Sequence, residues 1–168
     1  TPLALRYLFL TAHYRSRLNF TFKALDASQS ALNRLYQTTQ ELLQEKKKKN
    51  LKENKTVLSY KKKFLQLINN DLKIPEALAL MWEMLKNKKI SPFEKYLLLL
   101  DFDIVLGLKI KDVSPLKIPQ RIEKLAKLRE KYRQEKNYQK ADQIRKEIFK
   151  LGYLIEDTPS GPKIKLKN

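Results

Sequence analysis

Apolar residues recur every three or four positions along most of this chain, the period of helices that bury one face. Thr1-Pro2 reads as an N-cap followed by proline at the first helical position, and Leu3 to His13 is apolar almost all round, as in a docked or buried helix. A break at Arg15-Ser16-Arg17-Leu18-Asn19 precedes a helix from about Thr21 to about Lys46, with Phe22, Leu25, Gln29, Leu32, Tyr36 and Leu43 near one face. A third helix spans about Thr56 to Asn69 on a stripe of Leu58, Leu65 and Ile68. The fourth begins at Pro75 and carries Leu78, Trp82 and Leu85, with Trp82 expected in the core. The fifth starts at Ser91-Pro92, again cap plus proline, runs through Leu97 to Val105, and closes at Gly107. Four or five helices of this length make a bundle.

After Pro115 and Pro119 the texture changes. Ile122, Leu125, Leu128 and Tyr132 space one helix; Lys136-Asn137 makes a turn. Tyr138, Ala141, Ile144 and Ile148 space a second, ended by Gly152. Tyr153-Leu154-Ile155 and Ile164-Lys165-Leu166 flank the turn formers Asp157 to Pro162, which reads as two short strands. The expected fold is therefore mainly α: a helical bundle, then a helix pair with a β-hairpin. That ending is too short for a robust core of its own and is expected to pack on the bundle.

Composition narrows the chemistry. The 168 residues hold 36 Lys+Arg against 18 Asp+Glu, a net charge of +18, and 42% are hydrophobic, enough for a core. No Cys is present, which excludes disulfides, Cys-ligated zinc, iron–sulfur clusters and thiol catalysis; a single His excludes a multi-His metal site. No apolar run approaches the ~20 residues of a membrane span. There is no signal peptide, and a chain that begins without Met is expected to be a fragment. The basic excess points first to nucleic acid, whose phosphates release counterions to Lys and Arg, and second to an acidic membrane surface. The densest stretch, Lys46 to Lys63, holds nine Lys and one acid, Glu53, and reads either as a solvated inter-helix loop or as a phosphate contact.

No catalytic motif is present: no Gly-rich phosphate loop, nucleophile elbow or metal-ligand cluster. His13 beside Tyr14 is a lone imidazole whose expected role is structural. Asp101 and Asp103 stand two apart on a helix and face different ways, so they are not a carboxylate pair.

The strings Leu5-Arg6-Tyr7, His13-Tyr14-Arg15-Ser16, Leu18-Asn19-Phe20 and Ala31 to Tyr36, then Asn70-Asp71-Leu72 with Pro75 to Ala79, resemble in order the segments that follow the catalytic domain of bacterial cysteinyl-tRNA synthetases. So do Leu106-Gly107-Leu108, Arg129 to Arg133, Lys140-Ala141-Asp142, Ile144-Arg145, Leu151-Gly152 and Glu156 to Gly161. The likeness is collinear over nearly the whole chain. It departs at Lys73-Ile74, where the family often has Asn-Thr, and at Gly161 to Ile164, where Ile164 replaces a tryptophan. The family's Rossmann-type domain, its two ATP-site motifs and its zinc site have no counterpart in these residues.

The resemblance implies a C-terminal portion without the catalytic domain: residues 1–20 a stem-contact connection, 21–114 a bundle of the DALR anticodon-binding type, and 115–168 a small anticodon-recognition domain. It implies tRNA-Cys, with its GCA anticodon, and the catalytic domain as partners, with zinc and ATP used in that domain and no cofactor in this chain. By position in the family motif, Arg133, Asp142 and Asp157 match residues that contact anticodon bases. Their chemistry suits the task, since splayed bases are read by donor forks, acceptors and stacking planes. The plainer readings are an ion pair of Asp142 with Arg145 or Lys146 one helical turn on, and a turn-forming Asp157. Tyr138, where the family often carries an aromatic, either stacks on a base or anchors the helix pair. Backbone contacts are expected from Arg15, Arg17, Arg129, Lys131 and Lys136. A cytoplasmic monomer is expected. The alternative is a free-standing basic helical module that binds tRNA or protein without ligase activity; the tail of a related amino-sugar ligase is disfavoured, because it has no anticodon to read.

Overall fold

The computed structural model describes residues 1–44, 54–115, 118–158 and 161–166, so residues 46–53 of the Lys46–Lys63 stretch, and the Pro159-Ser160 turn, lie outside it. The chain divides into two compact units, Thr1–Leu116 and Lys117–Asn168. Helix and hairpin content confirm a mainly α fold.

Five helices build the first unit. Helix α1 (Pro2–Leu10) starts where the Thr1 hydroxyl accepts from the Ala4 N–H, as the cap signal requires. Helix α2 (Phe22–Gln44) follows, then α3 (Lys55–Asn69) capped by Asn54, α4 (Ile74–Lys86), and α5 (Pro92–Leu106). The start of α5 is a full capping box: Ser91 accepts from the Glu94 N–H while the Glu94 carboxylate accepts from the Ser91 N–H. Its end is Gly107 in the left-handed region, φ 62°, with the Arg6 guanidinium donating to the Leu106 carbonyl at 2.6 Å. A Cβ at Gly107 would lie 2.6 Å from Arg6 Nη2, so glycine serves both the turn and the close approach. Asp103 then holds the next turn, accepting from the Leu108 and Ile110 N–H groups.

The core places Phe64 of α3 flat against Phe102 of α5, centroids 4.0 Å apart, among Leu32, Leu35, Met81, Met84, Leu98 and Leu106. Two expected stripes are corrected here. On α2 the buried line is Ser28, Leu32, Leu35 and Thr39; the expected Leu32 and Tyr36 do meet the core, but Phe22 is 78% exposed, its ring edge-on to Phe20. On α3 the buried pair is Tyr60 and Phe64, while Leu58 and Leu65 face outward. The large aromatic rings at i, i+4 claim the interior, so the leucines flanking them rotate out.

The second unit pairs α6 (Gln120–Gln134) and α7 (Tyr138–Lys150) with an antiparallel hairpin, β1 (Tyr153–Thr158) and β2 (Gly161–Leu166). It has a core of its own in Ile122, Ala126, Ile144, Ile148, Ile155 and Ile164. Ile155 and Ile164 stand opposite in register, so the isoleucine at the family's tryptophan position fills core. Leu128, expected on the buried stripe of α6, is exposed, and the neighbouring Arg129 is buried instead. Among the described residues no helix is long and apolar enough to cross a membrane.

Candidate nucleic-acid interface

Arg129 and Arg133 stand four apart near the end of α6 and so share a face. That face meets β1 at Asp157. Arg129 donates from Nη1 to one Asp157 oxygen at 2.7 Å and from Nη2 to the other at 3.1 Å; Arg133 Nη1 donates to that second oxygen at 2.8 Å. The two arginines are not equivalent. Arg129 is 1% exposed and its Nε has no partner among the described residues, whereas Arg133 is 40% exposed. Hydrogen bonds from Arg129, then the charges of Arg129, Arg133 and Arg145, hold the Asp157 carboxyl below the ordinary carboxylate range against its partial burial. The same pairing raises Arg129, so Arg129 and Asp157 are both ionised at neutral pH.

Arg129 was expected to touch backbone phosphates. A guanidinium inside the fold, with its fork spent on Asp157, is not presented to a phosphate; its work is to fix that carboxylate. Asp157 is in turn an orienting group for Arg133, with three of its roughly four lone-pair positions taken.

Helix α7 supplies the rest. Its N-cap Asn137 accepts from the Lys140 N–H, and Tyr138, Asp142 and Arg145 follow at helical spacing on one exposed stripe. Tyr138 is 60% exposed. Asp142 has no ion pair or hydrogen bond among the described residues, so its expected pairing with Arg145 or Lys146 is not made; its field reaches Arg129. It lines a hollow of about 530 Å³ with Arg145, Phe149, Tyr153 and Leu154. The second unit thus offers an oriented donor fork, an uncommitted acceptor and apolar ring surface close together. Lys131 pairs loosely with Glu135 at 3.9 Å, and Lys136 is exposed in the turn at φ 58°.

Arg145 was not singled out in the sequence as a site residue. Its signal was available, one helical turn from Asp142, but it looked like an ordinary surface pair.

In the first unit, Arg15 and Arg17 are exposed. Arg15 lies over the Tyr14 ring at 5.2 Å and pairs with Asp71 at 3.2 Å, while the Tyr14 hydroxyl donates to the same carboxylate at 2.6 Å. That bond raises the Tyr14 pKa, so the phenol stays a donor. His13 Nδ1 accepts from the Arg15 N–H, which leaves Nε2 to donate to the Asp71 carbonyl at 2.8 Å. These contacts clamp Asp71 and Leu72, both left-handed at φ 54° and 49°, and give His13 the structural role expected of it. Among the described residues no group of three or more His, Cys, Asp or Glu could hold a metal ion.

No family model matches the chain. Curated relatives do. The chain is 35% identical over 170 residues to cysteine–tRNA ligase 1 of Burkholderia lata, covering 97% of this chain and 33% of that protein. It is 35% identical to cysteine–tRNA ligase of Borrelia turicatae, covering 98% and 38%, and 36% identical to that of Chlamydia felis, covering 96% and 36%. The chain spans little more than a third of the length of the relatives it matches.

Proposed function

Because the chain is homologous over nearly its whole length to a part of the cysteine–tRNA ligases, fitting their C-terminal portion, we propose that it is the tRNA-binding part of such an enzyme. On this reading the bundle of residues 21–114 is of the DALR anticodon-binding type, residues 1–20 connect to the stem-contacting region, and residues 115–168 read the GCA anticodon. The bond-making step belongs to a catalytic domain, which uses ATP and selects cysteine with zinc. This chain has no Cys and one His, so it has no donor set for that zinc and takes no part in the chemistry. Its contribution is orientation: it holds tRNA-Cys so that the 3′ end reaches the site of transfer.

The observation that carries the reading is the Arg133–Asp157 pair held at the surface beside Asp142. Arg133, braced by a carboxylate that is itself braced by Arg129, presents Nη and Nε donors at a fixed angle toward a purine edge. Asp142 suits a base amino group, since a free carboxylate repels phosphate. Tyr138 offers a ring for stacking. Arg15, Arg17, Lys131 and Lys136 supply backbone contacts; with these four the salt slope is roughly −3 to −4.

The test is binding of this chain to a cysteine tRNA transcript and to the same RNA with its first anticodon base changed, across salt concentrations. A preference of roughly tenfold to a hundredfold for the intact anticodon is expected, as for a base-edge contact, and it should vanish in Arg133→Ala. Equal affinity for both RNAs at every salt concentration would overturn the anticodon reading.

A further inference from the structure

We propose that a hollow on the α2–α4 face of the first unit, formed by Arg34, Trp82 and Lys86, is a second RNA-contact site that takes a backbone phosphate together with the sugar and base beside it. The proposal rests on the tRNA-binding reading above and extends it to a surface that reading does not use.

The hollow holds about 410 Å³ and is lined by Ser30, Ala31, Arg34, Trp82 and Lys86. Both charges on its wall are positive. Arg34 and Lys86 have no carboxylate partner among the described residues, unlike Lys61, which pairs with Asp101, and Arg15, which pairs with Asp71. Two unpaired cations at one rim attract an anion.

The ring between them is rigidly set. Trp82 is half-buried, and its indole N–H donates to the Tyr7 hydroxyl at 2.9 Å, so its edge is anchored in the core. The Arg34 guanidinium lies over the ring at 5.6 Å. Such stacking aligns the guanidinium and leaves its N–H edges pointing outward as donors. A carboxylate ligand would use the cations but not the ring. A nucleotide uses both, because its phosphate and its apolar sugar–base face are joined within a few ångströms.

Trp82 is the only tryptophan of the chain, so its fluorescence reports on this site alone. The full chain is titrated with the cysteine tRNA transcript while Trp82 emission and the anisotropy of the labelled RNA are followed together. The variants are Arg34→Gln, which keeps the stem over the ring, Lys86→Ala, and the double change. Lys62→Ala combined with Lys63→Ala, both exposed on α3, removes as many charges as the double change and controls for lost net charge. Trp82 emission is expected to change with the same midpoint as RNA binding. The double variant is expected to bind about tenfold more weakly, with a salt slope shallower by about 2, and to lose the emission change. Arg133→Ala should weaken binding yet keep the emission response. If the double variant binds like the Lys62/Lys63 control and Trp82 emission of the unaltered chain does not change on RNA binding, the site is overturned while tRNA binding stands. If the chain retains no RNA even at low salt, both readings fall.

Discussion

At the centre of the first unit two phenylalanine rings, Phe64 and Phe102, lie face to face inside an apolar core drawn from five helices. At the corresponding depth in the second unit sits a guanidinium, Arg129, 1% exposed and tied to the half-exposed Asp157. Size explains part of this difference. About fifty residues bury too little apolar surface to be stable with ease, so a polar tie between helix and hairpin carries more of the load. The placement of Asp157 explains the other part. An apolar keystone would have held the hairpin equally well, but only a charged one leaves a carboxylate at the surface with its orientation fixed, ready to aim Arg133.

Replacing the keystone of each unit separates these two designs. Phe102→Ala is expected to cost about 3–5 kcal/mol in the first unit, through lost transfer energy and a cavity. Arg129→Ala is expected to cost the second unit less, roughly 2–3 kcal/mol, because the abandoned Asp157 can take up water. That is still a large share of so small a unit's stability. Amide hydrogen exchange resolves the two: each variant should lose protection in its own unit and keep it in the other. Arg133→Ala, on the same carboxylate but at the surface, should leave exchange nearly unchanged. If it unfolds the hairpin as Arg129→Ala does, the division between an internal brace and a surface group that the brace merely orients is wrong.

Acid sharpens the comparison without mutation. The folded-state pKa of Asp157 lies below its ordinary value, so the stabilisation from its ion pairs is complete above the unfolded carboxylate's pKa, near 4, and is lost as pH falls through the lower folded value. The apolar core around Phe102 has no such dependence. As pH falls below about 4 the second unit should therefore lose exchange protection ahead of α3 to α5. Because Asp157 is half exposed the loss is modest, and Asp157→Asn should abolish this pH step while lowering protection at neutral pH.

The legible parts of the fold were those written in local chemistry. Thr1-Pro2, Ser91-Pro92 and Gly107 mark helix ends because caps act within one turn, and the structure uses each of them. At Leu58 and Leu65 of α3, and at the Phe22 end of α2, the expected stripe faces outward, because periodicity says that a stripe exists and not which of two neighbouring stripes turns inward. Arg129 shows the same limit at the site. Its position on α6 matched a buried stripe as well as Leu128 did, and a rule that keeps charge outside chose the leucine. Only the Asp157 carboxylate, brought over from the hairpin, makes the buried arginine affordable, and that partner lies 28 residues away. Arg133, Asp142 and Tyr138 could be nominated from sequence; that one arginine aims another could not.

The smallest expected effect tests whether local capping limits the first unit. Helix α5 begins with a complete box, but α4 begins at Lys73, which makes no side-chain cap bond and puts a cation at the positive end of a helix. Pro75 has no N–H to offer, so the donor open to a capping side chain is the Glu76 N–H, while the Lys73 carbonyl already accepts from Ala77 at 3.0 Å. Lys73→Asn places an acceptor where that N–H points and removes the unfavourable charge. A gain of about 0.5–1 kcal/mol is expected, read as slower amide exchange in α4 with α6 and α7 unchanged. The backbone at Lys73, φ −66° and ψ 62°, lies off the extended geometry most caps adopt. No gain from Asn would mean that this geometry, fixed by the left-handed Asp71-Leu72 pair before it, holds the side chain out of reach, and that the clamp of His13, Tyr14 and Arg15 on Asp71 sets the start of α4 more firmly than the cap does.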